Sequence, residues 1–258
     1  MRVTVHDVGH GSCISLIHDN GNVMLWDCGH SDENRPSQFL PVMGINTIHN
    51  FFITNYDEDH ISDLPNLLAS VDLPTLFRNK SISADELHRL KLQGGPISPA
   101  MSSMLAMIVD YNQPVLGVPP AFPGVTFTTY SNSYGLAYNE TNNISLVTFL
   151  NLNGTKFIFP GDVERAGWLG LLAQPGFIEE LRTVSVFVAS HHGRESGYCS
   201  EVFQVCTPDV VVMSDSKIKH ATQGMTNIYA SHASGMSFGG TIRRVVTTRN
   251  DGDISWQR

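Results

Sequence analysis

Short apolar runs recur along the chain and are cut by glycine, asparagine and aspartate. Val3 to Val8, Ser12 to His18 and Asn22 to Trp26 read as strands, separated by Gly9-His10-Gly11 and by Asp19-Asn20-Gly21. The Asn-Gly pair in the second separator is a hairpin signal. Ile48 to Thr54, rich in β-branched and aromatic residues, reads as a buried strand, and Ile61 to Ser70 as the helix that follows it. Helical character continues in Leu64 to Ser70, Ala84 to Leu92 and Pro99 to Tyr111; Ser83 with Glu86 three residues later is a capping pattern. Met101, Met104, Leu105 and Ile108 fall at helical spacing and read as core packing. Pro114 to Pro123, with Gly117 and Gly124, reads as a boundary between two halves. Beyond it come strands at Val125 to Tyr130, Ile144 to Leu150 and Lys156 to Phe159, the last two joined as a hairpin through Asn151 to Gly154. A helix over Arg165 to Ala173 and strands at Val184 to Ser190 and Val210 to Met213 follow, and Val245 to Thr248, Asn250-Asp251-Gly252 and Ile254 to Trp256 read as a closing hairpin. No residue-level repeat is visible, but the order of elements is similar on both sides of the boundary.

Composition narrows the class. A chain of 258 residues, 41% hydrophobic and 16% charged, is an ordinary globular protein, read here as a single domain of two pseudo-symmetric halves meeting near 114–124. Met1 leads directly into the first strand with no basic and apolar leader, and no stretch approaches the roughly 20 apolar residues of a membrane span. A cytoplasmic protein without a membrane segment is expected. Cys13, Cys28, Cys199 and Cys206 lack CxxC spacing and read as buried thiols rather than a disulfide framework. The formal net charge of −8 argues against tight non-specific adhesion to nucleic acid.

The candidate chemistry lies at strand ends. The run ending at Thr54 opens into Asn55, Asp57, Asp59 and His60, four side chains able to bind a cation, at a strand-to-helix turn where α/β proteins place their chemistry. The blander reading makes Asp57 or Asp59 a helix cap. A carboxylate, Asp27, ends the third strand just before Cys28-Gly29. Asp162 ends another in Pro160-Gly161-Asp162-Val163-Glu164, and His191-His192-Gly193 ends a third. His220 follows the strand Val210 to Met213, and His232 reads as a surface or supporting histidine.

Taken in order, Asp7 to Ser12, Asp27-Cys28-Gly29, Thr54 to His60, Asn143 to Val147, Gly161 to Glu164, His191-His192-Gly193 and Thr248 to Ile254 resemble the metallo-β-lactamase superfamily. Within it, they resemble the nuclease-like domain of ComEC-type DNA-uptake proteins. The resemblance spans almost the whole chain and implies a four-layer αββα sandwich with its site where two mixed sheets meet. Against the superfamily's HxHxDH pattern, Asn55 and Asp57 stand at the two histidine positions, while Asp59 and His60 match. Asn143 takes the place of the third-motif histidine, Asp162 matches the bridging aspartate, and one of His191 and His192 matches the final ligand. The resemblance thus implies one intact metal position, from Asp59, His60, Asp162 and His192. A second keeps only Asn55, Asp57 and Asn143 around the shared Asp162, and Asp27 supports from behind. One or two divalent ions are implied, with manganese or magnesium favoured over zinc by the oxygen-rich set. The implied activity is hydrolysis of a phosphodiester in DNA, RNA or a nucleotide: Asp59 would orient or deprotonate the water, and His191 and His220 would neutralise charge developing on the phosphate. Hydrolysis of a small ester, lactone or cyclic nucleotide, or metal sensing without turnover, are the alternative readings.

Overall fold

Which face of each strand is apolar dictates the layering. The computed structural model describes residues 1–217 and 224–258. Its strands are β1 (Arg2–Val5), β2 (Ile14–Ile17), β3 (Val23–Trp26), β4 (Asn50–Phe52), β5 (Leu76–Phe77), β6 (Val125–Tyr130), β7 (Val147–Leu152), β8 (Thr155–Phe159), β9 (Val186–Val188), β10 (Val210–Met213), β11 (Met236–Phe238), β12 (Thr241–Arg243), β13 (Val245–Thr247) and β14 (Ile254–Gln257). They form one sheet in the order β14-β1-β2-β3-β4-β5, a second in the order β13-β10-β9-β8-β7-β6, and a separate β11-β12 ribbon. In each large sheet the sense runs antiparallel, antiparallel, parallel, parallel, from β1 to β5 and again from β6 to β10.

Successive residues of a strand point to opposite faces, and here both faces are apolar. Met24, Trp26 and Phe52 of the first sheet meet Leu150, Phe157, Phe159, Val186 and Val212 of the second in the core between the sheets. Val23, Leu25 and Phe51 point the other way, against α1 (Pro36–Val42), α2 (Glu58–Ile61), α3 (Leu64–Ser70), α4 (Ala84–Leu92) and α5 (Pro99–Asp110). Phe149, Ile158, Phe187 and Val211 likewise pack under α6 (Arg165–Leu172), α7 (Phe177–Leu181), α8 (Ser200–Phe203) and α9 (Thr226–His232). The result is the expected αββα sandwich. No helix among the described residues is long and apolar enough to cross a membrane, and all four cysteines are buried and free.

Local signals explain most of the connections. β2 and β3 pair antiparallel about the Asp19-Asn20-Gly21 turn, and β7 and β8 about Asn153-Gly154, both with positive φ. Ser83 and Glu86 form a reciprocal capping box at α4. The expected helix from Ile61 to Ser70 is instead α2 and α3, separated at Ser62-Asp63, because Pro65 starts a new helix and the Asp63 carboxylate receives the Ser37 amide, 2.8 Å. The expected closing hairpin does not form. β13 joins the second sheet beside β10 and β14 the first beside β1; the short helix α10 (Thr248–Asp251) carries the chain between sheets.

Candidate metal centre

β3 and β4 run parallel in one sheet, β8, β9 and β10 in the other, so their carboxyl ends deliver side chains to one edge of the sandwich. Asp59, His60, Asp162 and His192 converge there, one ligand-type atom of each lying within 4.8 Å of the others. His60 Nε2 is 3.0 Å from Asp162 Oδ1; His192 Nε2 is 3.2 Å from Asp59 Oδ2 and 3.6 Å from Asp162 Oδ1. His60, Asp162 and His192 are buried, while the Asp59 side chain keeps 25% of its exposure and marks the open side.

Each imidazole is fixed from behind. His60 Nδ1 donates to Asp27 Oδ2 at 2.7 Å, and Asp27 also accepts from the Thr54 amide, 2.7 Å, and hydroxyl, 2.5 Å. His192 Nδ1 donates to the Ser214 carbonyl at 2.9 Å. In the neutral tautomer that binds metal, both Nε2 atoms therefore turn lone pairs toward the cluster. Although close to carboxylates, neither makes an aligned hydrogen bond among the described residues. Two buried ring nitrogens left without partners are costly. Facing two carboxylates, they make the donor set that a divalent cation satisfies.

The backbone bends to deliver these groups. Of the non-glycine residues with positive φ among the described residues, Asp27 (59°), His191 (51°) and His192 (56°) are at the site; Asn153 is in a hairpin turn. Such conformations cost about 1–3 kcal/mol each and persist where the surroundings over-determine them. Here His191 N donates to the Gly161 carbonyl at 3.1 Å, and the Ser190 hydroxyl to that of Val163 at 2.6 Å. On the other side, the Asp59 carbonyl is seated between two glycines. A Cβ on Gly11 would come within 2.7 Å of it and one on Gly29 would overlap it outright.

Charge is balanced within the cluster. Burial alone would lower the His60 pKa, but the Asp162 and Asp27 carboxylates outweigh it and hold the imidazole well above its ordinary value. His192 is raised in the same way by Asp162 and Asp59 against the effect of burial. Burial would raise both Asp59 and Asp162, but the two histidines lower them. His10 packs its ring 4.7 Å from that of His192; burial, then the charge of His192, push it down to about 4.

The other candidates are placed differently. Asn55 Nδ2 donates to Asn142 Oδ1 at 2.8 Å, and its Oδ1 accepts the Asp57 amide. Asp57 stands at the N-cap position of α2 without capping it; its carboxylate pairs with Lys91 Nζ and accepts from the Thr141 hydroxyl at 2.7 Å. Asn143 Oδ1 accepts the Gly167 amide, 2.8 Å, at the start of α6. His191 flanks the cluster, with Nε2 3.9 Å from Asp162 Oδ2 and Nδ1 3.3 Å from Glu164 Oε1. His220 lies outside the described residues. His232 is remote, its Nε2 2.8 Å from the Tyr198 hydroxyl. Sequence reasoning missed His10 and Lys91. His10 sits in a glycine-flanked loop that reads as a separator, and Lys91 lies on an amphipathic outer helix whose register against Asp57 only the folded chain reveals.

No protein-family model and no curated protein matches the sequence. Solved structures do match: a metallo hydrolase, Igni18, from Ignicoccus hospitalis is 15% identical, with all of both chains covered and a TM-score of 0.51. The diiron β-hydroxylase CmlA from Streptomyces venezuelae is 13% identical over 89% of this chain and 50% of its own, with a TM-score of 0.50. Another structure of that β-hydroxylase, of a variant, is 12% identical over 99% of this chain and 54% of its own, at 0.53. At such identities the likeness is one of fold. The chain has the fold of these structures, a four-layer αββα sandwich, with a His/Asp cluster able to hold a divalent metal at the edge where its two sheets meet.

Proposed function

We propose that this protein is a metal-dependent hydrolase of phosphodiesters, with one divalent ion held by Asp59, His60, Asp162 and His192. The observation that carries this reading is the pair of buried, unpartnered Nε2 atoms facing two carboxylates. When bound, such an ion supplies Lewis acidity to a water and to a phosphoryl oxygen. The chain's own groups do the rest. Asp59, the member of the four with solvent access, is placed to orient the attacking water and take its proton. Asp27 and the Ser214 carbonyl lock the two imidazoles. His191, beside Asp162 and Glu164, is assigned to the substrate phosphate on the open side.

One ion fits better than two, because Asn55, Asp57 and Asn143 are each engaged by other protein groups. That also alters the metal preference. Two imidazoles and two carboxylates suit zinc as well as manganese, where the oxygen-rich set expected from the sequence favours manganese or magnesium. The phosphodiester substrate is supported by the resemblance of the motifs to ComEC-type nuclease-like domains, and the likeness in fold to Igni18, a metallo hydrolase, agrees with hydrolysis.

The test is turnover of labelled single-stranded and duplex DNA, a generic phosphodiester and a lactone, each with manganese and with zinc. Metal-dependent cleavage of a phosphodiester, lost in Asp162→Ala, is the expected result. Turnover of the lactone alone would replace the substrate class, and full activity in Asp162→Ala would remove the metal reading.

A further inference from the structure

We propose that Arg194 is the group that receives a phosphoryl oxygen of the substrate, an assignment that rests on the hydrolase reading above. Arg194 Nη2 lies 2.7 Å from His10 Nε2, and Nη1 lies 3.4 Å from His191 Nε2. Each of these imidazoles in turn faces a carboxylate of the cluster: His10 Nε2 is 3.5 Å from Asp59 Oδ2, and His191 Nε2 is 3.9 Å from Asp162 Oδ2. The guanidinium is thus one imidazole away from the metal-ligand set on two sides.

Its partners are unusual for an arginine. A guanidinium that donates to an imidazole nitrogen requires that nitrogen's lone pair, so the contact adds no countercharge. Among the described residues no carboxylate oxygen lies within ion-pair distance of Arg194, whereas Arg165 pairs with Glu201, Lys91 with Asp57 and Arg249 with Asp215. Arg194 is a half-buried cation with spare donors and no anion.

It also stands where a ligand enters. His60 and His192 close the cluster from within at 1% and 3% side-chain exposure, while His10 keeps 31% and Asp59 25%. An anion approaching from that open side meets Asp59, Asp162 and Glu164, which repel it. Arg194 supplies the opposing charge at the point of entry, and its planar fork can hold two phosphoryl oxygens at once, which a lysine cannot. In exchange it gives up only imidazole contacts and no carboxylate, so switching to substrate strands no counter-ion.

The probes are inorganic phosphate and acetate, titrated calorimetrically into the full chain loaded with manganese, for wild type, Arg194→Gln and Arg194→Lys; manganese affinity is measured separately for each. Phosphate is expected to bind wild type more tightly than acetate. Arg194→Gln should weaken phosphate by about tenfold or more, with Arg194→Lys between, while manganese affinity stays within about twofold because Arg194 is not a ligand. Equal phosphate affinity in wild type and Arg194→Gln, or in wild type and Arg194→Lys, overturns the assignment. Acetate preferred over phosphate overturns the phosphoryl part of it. If the wild-type chain takes up neither manganese nor zinc, the hydrolase reading fails by itself, and the same phosphate titration of the metal-free chain, wild type against Arg194→Gln, still decides the role of Arg194.

Discussion

Asp27 never faces the cluster, yet three donors converge on it: His60 Nδ1 and the amide and hydroxyl of Thr54. An ionised carboxylate accepts all three, whereas an amide must turn its NH2 toward one of them and leave donor facing donor. Asp27→Asn should therefore lower metal affinity about 10–100-fold, the usual scale for a partner behind a metal-binding histidine, with the fold retained. Calorimetric titration of zinc or manganese checks this, and unchanged affinity would mean that Asp27 does not orient His60. The same residues set a pH dependence. In the metal-free protein the neighbouring carboxylates raise the folded pKa values of His60 and His192 and so favour their protonated forms. The stability this gives is complete below the ordinary imidazole pKa of about 6.5 and is lost as pH rises through the raised folded values. A bound metal must displace those protons. Near neutral pH, metal uptake should release about one to two protons, and affinity should rise with pH. Binding enthalpies in buffers of different ionisation enthalpy read the number directly; a slope of zero would show both imidazoles already neutral.

At the scale of elements, the strand ends and the loops that cross them are what hold the site in register. The Asp59 carbonyl accepts the Ser12 amide at 3.1 Å, Gly29 N reaches the Ser12 carbonyl at 2.8 Å, and Cys28 N the His60 carbonyl at 2.8 Å, tying the loops after β1 and β3 to α2. A methyl group on Gly29 would overlap the Asp59 carbonyl. Gly29→Ala should cost about 1–3 kcal/mol of stability through overpacking and weaken metal binding, read by urea denaturation and metal titration; wild-type values in both would mean that these loops yield freely. This cradle was not legible in the sequence beyond the general point that a glycine lets backbone approach. The strands, hairpins and α4 cap were legible because their signals are local: period, Asn-Gly turns, Ser83 with Glu86. Asp59, His60 and Asp162 stood out because each sits at the end of an apolar run, and the same signal marked the pair His191-His192 without choosing between them. The positions of Asn55, Asp57 and Asn143 were not, since a side chain's partner is chosen by neighbours distant in the chain: Asn142, Lys91 and Gly167. The closing hairpin failed for a similar reason. Two strands joined by a turn signal pair with each other only if no sheet edge competes, and β1 and β10 both offered one.

For the molecule as a whole, the two sheets repeat one order of strand senses, but the site they share is not filled symmetrically. The half nearer β8 to β10 supplies Asp162 and His192, and that after β4 supplies Asp59 and His60. The side chains that the sequence resemblance assigns to a second metal position, Asn55, Asp57 and Asn143, are engaged by protein groups. Lys91 comes from α4, on the outside of the first sheet, and its ammonium pairs with the Asp57 carboxylate, whose side chain keeps 34% of its exposure. An ammonium and a divalent ion compete for the same oxygens, and the tethered charge has the advantage of proximity. Elemental analysis after saturation with manganese or zinc and removal of the excess should therefore find one ion per wild-type chain. Lys91→Gln removes the competing charge but keeps most of the side-chain length. It should leave the first ion's affinity within a few-fold, because among the described residues Lys91 neither hydrogen-bonds nor ion-pairs with Asp59, His60, Asp162 or His192. It should also admit a second, weaker ion through the freed Asp57. Two ions in the wild-type chain would show that Lys91 yields Asp57 to metal, and the reading of this fold as a one-ion site would then be withdrawn. A Lys91→Gln variant that binds one ion, like wild type, would instead show that Asn55 and Asn143, locked in their own hydrogen bonds, close the second position without help from charge.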